Sequence, residues 1–73
     1  IFSMKIHVMI KFNSDLNKIE NFGNWRYLVN MKMSGDDPQA LPFFINMFSK
    51  FSGSNPKSIK YLGKQGEEQI FEI

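Results

Sequence analysis

Hydrophobic and polar residues alternate from Met4 to Phe12. Met4, Ile6, Val8, Ile10 and Phe12 fall on one side, and Lys5, His7, Met9 and Lys11 on the other. A period of two with β-branched residues inside predicts a half-buried strand. The pattern returns from Trp25 to Met33, with Trp25, Tyr27, Val29, Met31 and Met33 opposite Arg26, Leu28, Asn30 and Lys32. Between these strands, residues 13–24 are rich in Asn, Ser, Asp and Gly and read as a loop. Ile19 and Phe22 are expected to pin that loop to the body by burial.

Ser34-Gly35-Asp36-Asp37-Pro38 reads as a turn into a helix, with Asp36 or Asp37 as its N-cap. Leu41, Phe44, Phe48 and Phe51 then recur at helical spacing, and Gly53 is a natural stop. Pro42 lacks an N–H, so the regular helix is expected to begin there after an irregular turn. Ser58 to Leu62 reads as a short strand, Gly63 to Gly66 as a turn and Glu67 to Ile73 as a last strand. The expected fold is α+β, of order β-β-α-β-β. One main helix packs on a small, mostly antiparallel four-stranded sheet. Residues 4–73 form a single domain, and residues 1–3 are expected to be a leader or cloning remnant.

Composition adds limits. The chain has 73 residues, too few for two ordinary domains. It has no Cys, which excludes disulfides, thiol nucleophiles and Cys-ligated metals. A core without such staples suggests an intracellular setting, cytoplasmic or organellar. No apolar run approaches the ~18 residues of a membrane span. Aromatics make up 15% of residues, and Phe12, Trp25, Tyr27, Phe44, Phe48 and Phe51 are all expected on inner faces as core filling. Met31, Met33 and Met47 fill space beside them.

Catalysis finds little material. The lone His7 lies on an outer strand face, and the serines lie in loops without a partner pattern. Asp36-Asp37 and Glu67-Glu68 read as a cap and a solubilising pair, and Gly63 and Gly66 as turn residues. No enzyme activity, cofactor or metal site is expected.

Charge placement is the sharper signal. Antiparallel pairing of the first two strands would bring Lys5 near Lys32 and Lys11 near Arg26. Lys57, Lys60 and Lys64 form a second basic run. An RNA or a ribonucleoprotein would relieve that repulsion by placing phosphates there. The plain alternative is a solvated face whose lysines protect strand edges. The leading expectation is a non-enzymatic binding module of unspecified role, RNA- or ribonucleoprotein-associated through its basic strand face. The other is a protein-interaction subunit or homo-oligomer, with Phe2, Met9, Leu28 and Phe43 off the expected core faces.

Lys11-Phe12-Asn13-Ser14 with a following Ile19, in which Phe12 stands in place of Pro, resembles the Lys-Pro-Asn-Ser and following Ile of the YggU-like family of small uncharacterised proteins. Leu28-Val29-Asn30-Met31-Lys32-Met33 matches its next strand, and Ala40 falls at the Ala of its Gly-Lys-Ala-Asn segment. Phe44, Phe48, Ser49, Lys50 and Gly53 follow its helix, and Pro56-Lys57-Ser58-Ile59 its entry into the next strand. The family's Pro-Pro pair is Ser34-Gly35 here, and its late Ser-Arg-x-Lys is absent. The resemblance implies one small α+β domain and no established reaction.

Overall fold

The computed structural model describes residues 4–73. It is an α+β fold with one α-helix and a five-stranded mixed sheet. The strands are β1 (Lys5–Lys11), β2 (Lys18–Gly23), β3 (Arg26–Asn30), β4 (Lys60–Gln65) and β5 (Glu68–Glu72). The helix α1 (Ala40–Ser52) lies between β3 and β4, followed by a 3-10 turn at Pro56–Ser58. The sheet order is β2-β3-β1-β5-β4. β1 is central, and the second strand of each flanking hairpin pairs with it.

Two expectations about the sheet are corrected. There are five strands, because the polar segment before Trp25 contributes β2. β2 is an edge strand bonded only to β3, so backbone pairing holds it without alternating burial. Ile19 packs against the core, but Phe22 sits at a register shift and is 64% exposed. The second correction is direction. β1 and β3 run parallel, with His7 beside Arg26 and Lys11 beside Asn30. β2 takes the hairpin position that β1 was expected to hold, and antiparallel pairing goes to β2–β3.

The turn between β2 and β3 is Asn24-Trp25, with φ of 52° and 61°. Two central residues at positive φ are what a type I′ turn requires, and glycine normally fills the second. Trp25 is therefore a turn residue, 47% exposed, and not part of the inner face of a strand. The β4–β5 turn falls at Gly66-Glu67, not across residues 63–66. Gly63 lies within β4 at a second register shift.

The core lies between the helix and one sheet face. Ile6, Val8, Val29, Met31, Phe44, Phe48 and Phe71 are fully buried. Phe44 stacks on Phe48 at 5.7 Å and meets Phe71 at 4.8 Å, and Tyr27 meets Phe48 edge-on at 5.1 Å. Leu41 and Phe51, at the two ends of the helical stripe, remain half exposed. The helix starts two residues before Pro42, which sits in the first turn, where N–H groups have no intrahelical acceptor. Its N-cap is Gln39 and makes no side-chain cap bond, so neither Asp36 nor Asp37 caps it. Asp37 Oδ1 instead accepts from the Gln39 N–H at 2.8 Å and shapes the preceding turn. Gly53 ends the helix at φ 76°, as its position predicts.

Candidate binding surface

A single helix covers a single sheet face and leaves the other open. Cross-strand partners share a face, so the register defines what the open side carries. β1 contributes Lys5, His7, Met9 and Lys11, and β3 contributes Arg26, Leu28 and Asn30. β5 adds Ile70 and Glu72 opposite His7 and Lys5, and Lys60 of β4 stands opposite Glu72. Lys18 and Glu20 of β2 lie opposite Asn30 and Leu28.

Glu68 reaches the same face from the start of β5. Its Oε2 accepts from Arg26 Nη1 at 3.3 Å, and its Oε1 lies 3.3 Å from His7 Nδ1. The His7 contact is proximity only, because its buried Nδ1 makes no hydrogen bond. Lys18 pairs with Glu20 at 3.1 Å. Among the described residues, Lys5, Lys11 and Lys60 have no carboxylate within ion-pair distance. All the paired groups are partly exposed, so each pair contributes little stability.

The expected clusters of like charge are not formed. Parallel pairing puts Arg26 at the His7 end of β1, away from Lys11, and Lys32 lies beyond the end of β3. Lys57 belongs to the 3-10 turn, and Lys64 is paired with Gln69 on the helix side of the sheet. Four of the seven expected basic residues, Lys5, Lys11, Arg26 and Lys60, thus share the open face. They are interleaved with Glu68 and Glu72, which topology brings in from the far end of the chain.

Of the expected interaction residues, Met9 and Leu28 are direct neighbours on this face. Ile70, itself almost fully buried, lies beside His7 as the floor of this small apolar centre with a charged rim. Phe43 is 38% exposed on α1, on the other side of the sheet. Phe2 lies outside the described residues.

Among the described residues, recesses also lie elsewhere. A cleft of about 550 Å³ opens at the N-terminal end of α1, with Phe12, Leu41, Tyr61 and Phe71 as walls and Lys64, Asp36 and Asp37 at its lip. Tyr61 donates to Gln69 Oε1 there at 2.6 Å. Gly35 passes so close to the Phe12 ring that a Cβ would stand 3.0 Å from it. A second recess of about 450 Å³ lies at the β2–β3 turn, lined by Asn21, Gly23, Asn24, Trp25 and Tyr27. The sequence signalled neither, because each joins a loop to a strand end. No group of three or more metal-ligating side chains forms among the described residues, and no helix there is long and apolar enough to cross a membrane.

No family model matches the chain, and neither a curated protein nor a solved structure matches it.

Proposed function

We propose that the protein is a non-enzymatic binding module that receives single-stranded RNA on the open sheet face. The distribution of charge carries this reading. The open face holds Lys5, Lys11, Lys18, Arg26 and Lys60 against Glu20, Glu68 and Glu72, while the charges elsewhere balance. The whole excess of +2 is therefore on one face. Phosphates have free cations to meet at Lys5, Lys11 and Lys60. Direct titration of a labelled oligonucleotide into the protein at low salt tests it. The double variant Lys5→Glu with Lys60→Glu should abolish binding while leaving the fold intact. Binding that survives this reversal would reject the reading.

A second reading is favoured by the apolar centre Met9–Leu28–Ile70. An apolar core inside a charged rim is the anatomy of a protein interface, including one with a second copy of the chain. Sedimentation across a concentration series separates the two. Self-association abolished by Met9→Lys supports this second reading. Membership of the YggU-like family is part of the same proposal. It rests on the sequence resemblance alone; Lys11-Phe12-Asn13-Ser14, which carries part of that resemblance, forms a turn in which Asn13 takes φ 56° and Ser14 Oγ donates to the Lys11 carbonyl at 2.8 Å.

A further inference from the structure

Trp25 is the one tryptophan of the chain, and its placement is costly twice over. Its backbone is left-handed, at φ 61°, a region in which a bulky side chain is a true outlier. The residue is 47% exposed at the tip of a hairpin. Strain persists where the surroundings hold it, and here the Trp25 carbonyl accepts the His7 N–H at 2.8 Å, locking the turn onto β1. Asn-Gly would make the same turn without strain.

The recess beside it is built of two aromatic residues, Trp25 and Tyr27, and two amides, Asn21 and Asn24. Tyr27 is held from behind by edge-on contacts with Phe48 and Phe51. Asn21 Oδ1 already accepts the Gly23 N–H at 2.8 Å, which fixes that amide and leaves its NH₂ free to donate. No carboxylate lines the recess. Arg26 follows Trp25 directly, pairing with Glu68 on the open face, and the register puts Lys5 of the central strand and Lys60 of the far edge strand at this same end of that face.

We infer that Trp25 and Tyr27, with Asn21 and Asn24, form a slot that stacks one unpaired base of RNA. A flat π-face with fixed amide donors suits a base edge, and the cations at that end suit its phosphates. This rests on the RNA reading and adds to it a base-recognition site separate from the sheet face.

The test uses the lone tryptophan as its own reporter. Oligouridylate of twelve nucleotides and inorganic polyphosphate of matched charge are titrated separately, with binding followed by anisotropy or competition. Oligouridylate should quench Trp25 emission, and bound polyphosphate should not. Trp25→Gly should weaken oligouridylate binding by about tenfold or more, the scale of one lost base stack. Trp25→Phe should retain most of the affinity. Trp25→Gly should melt at or above the parent temperature, because glycine relieves the turn, so lost affinity would not be lost fold. Oligouridylate binding with unchanged emission would overturn the slot and leave the RNA reading standing. Quenching by polyphosphate would also overturn it. Failure of both ligands to bind would overturn both proposals. A protein partner that needs Trp25, while bound RNA leaves its emission unchanged, would overturn the slot alone.

Discussion

Neighbouring phenylalanines on one helix have opposite fates. Phe44 is fully buried against Phe48 and Phe71, while Phe43 is more than a third exposed. Phe44→Ala should cost about 3–5 kcal/mol, much of what a small domain possesses, whereas Phe43→Ala should cost about 1 kcal/mol or less. Urea denaturation of the two variants checks this. Equal losses would mean that the helix is rotated from the orientation described. Gly53 is a different kind of residue, with nothing within 4 Å of an added Cβ but a φ of 76°. Gly53→Ala should therefore destabilise by about 1 kcal/mol through the backbone alone. At this scale the sequence was most legible, because 3.6-residue spacing singled out Phe44 and Phe48 and the helix stop singled out Gly53. Trp25 was misplaced because alternation continues across the turn, and only backbone dihedrals mark it as a turn residue.

At the scale of elements, β1 and α1 were legible for the same reason: each carries one apolar face whose middle is fully buried. β2 was not, since an edge strand needs only one neighbour and its solvent side can carry any polar residue. The direction of β1 against β3 was not legible either. A long polar segment between two alternating stretches reads equally as a hairpin loop or as a hidden third strand. This arrangement predicts a ranking of local stability. Native-state hydrogen exchange should find β1 most protected, since it is the middle strand of five and neither of its neighbours is an edge, and β2 amides should exchange well before global unfolding. Protection of β2 equal to that of β1 would contradict its edge position. Fast exchange in β1 would contradict its central one.

For the molecule as a whole, the outer-face lysines of β1 were legible from alternation, but their surroundings were not. Glu68 and Glu72 come from the far end of the chain, and only the β1–β5 pairing brings Glu72 opposite Lys5. The open face is therefore a field of both signs with a small positive excess, and its electrostatics should be correspondingly modest. If Lys5, Lys11 and Lys60 each neutralise one phosphate, the logarithm of RNA affinity should fall with the logarithm of salt at a slope of about −2. A slope near zero would remove electrostatics from the account. Glu72 stands between Lys5 and Lys60 in register and repels any phosphate placed there. Glu72→Gln should therefore raise RNA affinity a few-fold at low salt, and the gain should shrink as salt rises, because the interaction is exposed and screened. A face whose charges serve only solubility would bind RNA no better after that change. The sign of the Glu72→Gln effect thus separates a phosphate-binding face from a merely solvated one.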